Sequence, residues 1–186
     1  MQIKTVKRIC ILGIVAISAS WSGYHSPLPD HLTKKINKTL IRIFGKDIKH
    51  SDEILIDLHN SNHHVFNLTQ GDSLMGYAIA SRALGCKIGG CSTDNKEESS
   101  FEEFFYMTVF NTNYQIEKVK VIEYTSDHGY QIANRGWLKQ FIHKNNFTVG
   151  ENIDAISGAT ISVNSIVNGV NSQKDIIRKL QGNDKL

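Results

Sequence analysis

A carboxylate, two hydroxyls and a glycine stand close together in Asp154-Ala155-Ile156-Ser157-Gly158-Ala159-Thr160. This small-residue segment leads into a stretch with helical spacing, so Ser157 or Thr160 could cap a helix. Gly158 permits tight backbone geometry and the close approach of a ligand. The free N–H groups of a first helical turn, together with the helix dipole, favour an anion such as phosphate. The competing reading is a plain helix cap. Ser157 is not read as a hydrolase nucleophile, because the chain has no G-x-S-x-G elbow.

Cys86 and Cys91 enclose Lys87-Ile88-Gly89-Gly90, a loop flexible enough to bring the two side chains together. The spacing is neither C-x-x-C nor C-x-x-C-H, which weakens a redox-dithiol reading and leaves haem attachment unsupported. In an exported protein an even pair invites a structural disulfide. A free or metal-bound pair and a redox-active pair are the alternatives. His59, His63 and His64 lie near Asp57 but fit no standard zinc spacing. Asn60-Ser61-Asn62 reads as a hairpin turn, so a polar loop is expected there and no metal site.

The start of the chain looks like a targeting segment. Lys4, Lys7 and Arg8 precede an apolar run from Ile9 to Ala19. That run falls within the roughly 7–15 residues of a signal core and short of the ~20 that span a bilayer. Residues 1–22 are therefore read as a signal peptide or an N-terminal anchor, with Ser18, Ser20 and Ser22 as small residues suited to cleavage. Cys10 sits at the start of the apolar run, right after the basic residues, too early to be a lipoprotein acceptor. Residues 23–29, with Pro27 and Pro29, read as a linker, and 30–186 as a single domain. The expected location is the periplasm or the outer face of the inner membrane, with membrane association through the N-terminus if it is not cut.

The chain has 186 residues, 40% of them hydrophobic, enough for one core. Its formal charge of +3 is spread as Lys among acids. No dense basic patch of the kind nucleic-acid binding needs is evident.

Asp30 can cap a helix reaching about Phe44, with Leu32, Ile36, Leu40 and Ile43 on one face and Gly45 as its stop. Its lysines, Lys34, Lys35 and Lys38, read as a solvated face, with a membrane-facing role as the alternative. Strands are expected at Ile54–Leu58, Val65–Leu68, Leu74–Arg82, Phe104–Phe110 and Ile116–Tyr124. Thr93 to Ser100 reads as an exposed loop, and Asn111-Thr112-Asn113 as a turn joining the last two strands in a hairpin. Helical spacing returns from Asn134 to Lys144 and from Thr160 to about Leu180. The expected fold class is α+β, a mainly antiparallel sheet packed with helices.

Asp-x-x-Ser-Gly-Ala-Thr, followed by Ile161-Ser162-Val163-Asn164-Ser165-Ile166-Val167, resembles the FMN-binding domain family. That family includes the C subunit of the sodium-pumping NADH:quinone reductase and the G subunit of the related ferredoxin oxidoreductase complex. Gly76-Tyr77-Ala78-Ile79 is similar to the family's G-Y-x-x strand. Ile116 to Glu123, followed by His128-Gly129, is similar to its strand and H-G turn, and Trp137 to Phe141 to its W-x-x-x-F helix. The likeness runs from Leu74 to Leu180. It departs from the family at Ala83 to Ser100, where the two cysteines lie.

The resemblance implies that Thr160 carries FMN covalently. A periplasmic flavin transferase would split FAD and join the FMN phosphate to the Thr160 hydroxyl, reading Asp154, Ser157, Gly158 and Ala159 as the rest of its motif. Protein made without that enzyme would be flavin-free. A covalent link suits a dilute exterior, because it abolishes dissociation. Ring contacts to the flavin are assigned to Tyr77, His128 or Trp137, with Gly129 in the turn. Each aromatic also has a purely structural reading. Since the chain has no room for a second, substrate-oxidising domain, an electron carrier is expected, working with an exported or membrane redox partner. The alternatives are a small FMN-dependent reductase using the Cys86/Cys91 pair and a non-redox module in which the motif only caps a helix.

Overall fold

The computed structural model describes residues 28–51, 62–87 and 101–183. Its first element, α1 (Asp30–Phe44), buries Leu32, Ile36 and Leu40 at helical spacing. Each fully buried side chain of this kind contributes about 1.5–3 kcal/mol. The expected side-chain cap at Asp30 does not form. Pro29 occupies the cap position, and its carbonyl accepts from the N–H groups of Leu32 at 2.9 Å and Thr33 at 3.1 Å. Asp30 is instead the first helical residue, where its carboxylate meets the positive end of the helix dipole. Gly45, at φ 98°, ends the helix as its position suggested.

Five strands follow: β1 (Ile48–His50), β2 (His63–Gln70), β3 (Ser73–Lys87), β4 (Phe101–Asn111) and β5 (Ile116–Tyr124). They lie in sequence order, and each pairs antiparallel with the next. With helices packed against it, this sheet makes an α+β fold. The strand expected at Ile54–Leu58 falls outside the described residues; β1 begins six residues earlier. His63 and His64 belong to β2 rather than to a polar loop, because they pair with Ser81 and Ala80. Strand β3 runs past Arg82 through Cys86, since β4 supplies partners as far as Lys87↔Phe101. The β4–β5 turn is built on Asn111, whose Oδ1 accepts from the N–H groups of Asn113 and Gln115, each at 3.0 Å.

The helix expected from Asn134 to Lys144 is shorter and broken. Asn134 caps it, its Oδ1 accepting from Gly136 at 2.8 Å and Trp137 at 3.2 Å. A single turn, α2 (Arg135–Leu138), then tightens into a 3₁₀ turn over Lys139–Phe141. The last helix, α3, spans Thr160–Asn183.

Strand alternation gives the sheet two covered faces. Ala78, Ala80, Met107 and Val109 face α1 and pack with Ile36 and Leu40. Their neighbours Tyr77, Ile79, Tyr106 and Phe110 face the other way and pack with Val163, Ile166, Val167 and Val170 of α3. Helix α3 rides very close to the sheet at Gly169, where a Cβ would stand 2.0 Å from the Tyr106 hydroxyl oxygen. Burial pushes the Tyr106 phenol up, with the neighbouring Ser81 pulling weakly the other way. The hydroxyl makes no hydrogen bond of normal geometry.

A polar clasp lies beside this contact. Gln173 Nε2 donates to Ser81 Oγ at 2.6 Å. His63 places Nδ1 at 2.6 Å from Ser81 Oγ and Nε2 at 3.2 Å from Ser172 Oγ. Burial, reinforced by His64, lowers the His63 pKa to about 4.

Candidate functional site

Thr160 is the first residue of α3, and it is exposed. The helix closes on Ala159, whose carbonyl accepts from Val163 N–H at 2.9 Å. The N–H groups of Thr160, Ile161 and Ser162 make no backbone hydrogen bond. The hydroxyls of Thr160 and Ser157 are likewise unengaged among the described residues, so neither side chain caps the helix. What the turn offers is three aligned donors, the positive end of a 24-residue helix, and a free hydroxyl beside them.

The approach to Thr160 is fixed at both ends. Ala159 is fully buried in the core under α3, and Ile156 packs half-buried against the same cluster. Between them Gly158 turns the chain at φ +75°, with nothing within 4 Å of where a Cβ would stand. The turn is closed by Ala159 N–H donating to Ile156 carbonyl at 3.1 Å. Upstream, Asp154 is held by its backbone: Trp137 Nε1 donates to its carbonyl at 2.8 Å, and its own N–H donates to Gln140 Oε1 at 2.9 Å. Its carboxylate is left at the exposed surface.

A second wall comes from the far ends of β3 and β5. Tyr124 at the end of β5 donates its hydroxyl proton to the His128 carbonyl at 2.6 Å. Ser162 Oγ, 2.8 Å from the same oxygen, must therefore be the donor in that pair. The Cys86 sulfur lies 3.4 Å from Ser162 Oγ and 3.9 Å from the Gly158 carbonyl oxygen. Gly129, at φ +83°, is packed onto this trio. A Cβ there would stand 2.6 Å from the Tyr124 hydroxyl oxygen and 2.7 Å from both Cys86 Sγ and Ser162 Oγ. His128 is exposed beside it, and Tyr130 follows at 58% exposure.

The structure thus brings Asp154, Ser157, Gly158, Ala159 and Thr160 together with His128, Gly129, Trp137 and Cys86. Trp137 is buried, set edge-on to Phe141 at 5.5 Å, and its polar edge serves the Asp154 loop. Tyr77 is not brought to this place. It is buried, stacked on Tyr114 at 5.5 Å, and paired with Phe110 near the β4–β5 turn. Cys86 lies nine residues further along the same strand, a distance on the order of 25–30 Å. Cys91 falls outside the described residues. Tyr124, Ser162 and Gln140 were not anticipated. Apart from the Tyr124 bond to His128, their partners lie 14 to 76 residues away, at separations that spacing does not encode.

Residues 103–173 match the model of the FMN-binding domain family. The match takes in Tyr124, the His128-Gly129 turn, Trp137, the Asp154–Thr160 segment and Ser162, so this part of the chain is similar to an FMN-binding domain. The residues at the start of α3 fit an FMN phosphate: three unbonded N–H groups converge beside a free hydroxyl, with open space over Gly158. The match supports reading this region as a flavoprotein domain with FMN as its cofactor. Comparison with curated proteins returned no match. Among the described residues, no group of three or more His, Cys, Asp or Glu could hold a metal ion.

Proposed function

We propose that this chain is an exported flavoprotein that holds FMN covalently, through a phosphoester on Thr160, and passes electrons between partners. One observation carries the reading. The Thr160 hydroxyl is exposed and unbonded at the mouth of α3, beside donors suited to the phosphate it would join. A phosphodiester keeps one negative charge, which a helix start stabilises by roughly 0.3–1 kcal/mol. The bound flavin would supply the redox chemistry. The chain's own residues hold its phosphate at α3 and shape the surroundings with the His128-Gly129 turn. The modifying partner is a periplasmic flavin transferase, and the electron partners are exported or membrane proteins.

The test is co-expression of the full chain with a flavin transferase, followed by a denaturing gel under ultraviolet light and intact mass. Wild type should fluoresce and gain the mass of FMN less water; Thr160→Ala should do neither. A dark wild-type band made with an active transferase would overturn the proposal.

A second reading rests on the place of Cys86. Its sulfur lies 3.4 Å from the Oγ of Ser162, two residues after Thr160. Pairing with Cys91 would put a reducible group next to the flavin. Reduced flavin would then give two electrons and two protons to the disulfide, yielding two thiols and oxidised flavin. Replacing both cysteines with Ser should abolish electron transfer while flavin stays attached. Unchanged transfer excludes this reading.

A further inference from the structure

Helix α1 carries two opposed stripes. Leu32, Ile36 and Leu40 face the sheet. On the other side, three and four residues apart, stand His31, Lys34, Lys35, Lys38, Ile41 and Arg42, all exposed. Lys35 and His31 are held by Glu123 of β5. Lys34, Lys38 and Arg42 follow one another at i, i+4 and have no acidic partner among the described residues. Like charges at that spacing destabilise a helix. The crowding continues beside the end of α1. Lys120 loses proton affinity first to burial, then to Arg135, Arg42 and Lys118, cations from three different elements. Amid this field Ile41 is an exposed large apolar side chain, at 42%.

We propose that this face of α1 docks on the anionic headgroups of a lipid bilayer, with Ile41 reaching among them. Uncompensated cations on one flat helical stripe match a surface of spread negative charge. The chain before α1 supplies the second signal, since the apolar run Ile9–Ala19 ends about ten residues upstream. A short apolar segment and a basic patch each bind membranes weakly, and together they hold. Among the described residues no helix is long and apolar enough to cross a membrane. Because α1 and α3 cover opposite faces of the sheet, a docked molecule turns Thr160 away from the bilayer, toward a partner outside it.

The experiment is co-sedimentation of the full chain with vesicles of phosphatidylcholine, with and without phosphatidylglycerol, at low and high salt. Phosphatidylglycerol should strengthen binding, and salt should weaken it. The triple variant K34Q/K38Q/R42Q should lose roughly fivefold per removed charge on anionic vesicles. A control triple on the opposite face, K139Q/R178Q/K179Q, should bind as wild type does. Circular dichroism verifies that both variants fold. Equal losses in the two triples, equal wild-type binding to both vesicle types, or binding to neither would each overturn the proposal; the last would leave an acidic protein as the occupant. Thr160→Ala should bind vesicles unchanged, so failure of the flavin reading is separable.

Discussion

The indole N–H of Trp137 donates to the carbonyl oxygen of Asp154 at 2.8 Å, so a core tryptophan holds the first residue of the Asp154–Thr160 segment. Gln140, one turn on, takes the Asp154 N–H at 2.9 Å. Trp137→Phe removes the donor and part of the buried ring. It should cost about 1 kcal/mol for the hydrogen bond and roughly 1–2 kcal/mol more for the space left in the core. It should also lower the fraction of chains that acquire flavin from the transferase. Urea unfolding and gel fluorescence per chain read the two effects. Loading at the wild-type level would show that this clasp does not organise the segment.

Gly129 and Gly158 both have positive φ, but only Gly129 is crowded. Gly158→Ala should cost about 1–2 kcal/mol, the backbone strain alone. Gly129→Ala adds a Cβ within 2.7 Å of Tyr124, Cys86 and Ser162. Overpacking of that kind typically adds about 1–3 kcal/mol. Denaturant midpoints should therefore rank Gly129→Ala clearly below Gly158→Ala, and equal midpoints would refute the packing of the turn on α3.

Glycine inside a helix is normally improved by alanine, by roughly 1 kcal/mol. Gly169→Ala should instead destabilise, because its Cβ would meet the Tyr106 hydroxyl at 2.0 Å. Tyr106→Phe removes a buried hydroxyl that lacks a hydrogen bond of normal geometry, so it should be nearly neutral or stabilising. The double variant should recover part of that loss, since the ring Cζ that Phe keeps would still stand 3.0 Å from the new Cβ. A double-mutant cycle showing simple additivity would rule out the contact.

His63 is held neutral in the fold, its pKa lowered from 6.5 to about 4. Between these values the unfolded chain binds the extra proton, so stability declines as pH falls. His63 should contribute nothing to pH dependence above about 6.5. It should then remove up to about 3 kcal/mol between pH 6.5 and 4, and level off below. His63→Gln should flatten that part of the stability curve. Parallel curves for the two proteins would show that His63 titrates normally.

Much of the architecture was legible in local pattern. Apolar residues at helical spacing marked α1, and the alternation of Ile116–Tyr124 marked β5. Asn111 marked its turn. Local pattern failed where a partner strand or a neighbouring helix decided the outcome. Arg82 looked like the end of β3, yet pairing with β4 carries the strand through Cys86. His63 and His64 looked like loop residues, and pairing with Ser81 and Ala80 makes them strand. The Asn134 helix tightens after one turn, with its Trp137 and Gln140 committed to Asp154.

The Asp154–Thr160 segment needed no tertiary information to stand out, since its hydroxyls, its glycine and the helix that follows are contiguous. The sequence by itself determined that a helix would begin beside Thr160 with unbonded N–H groups, because the first turn of any helix lacks acceptors. Only the folded sheet decided what surrounds it. Register over nine residues of β3 sends Tyr77 to the far end and brings Cys86 beneath Ser162, 76 residues on. Such meetings depend on strand order and on which face α3 covers, and those are properties of the whole packed chain rather than of any window within it.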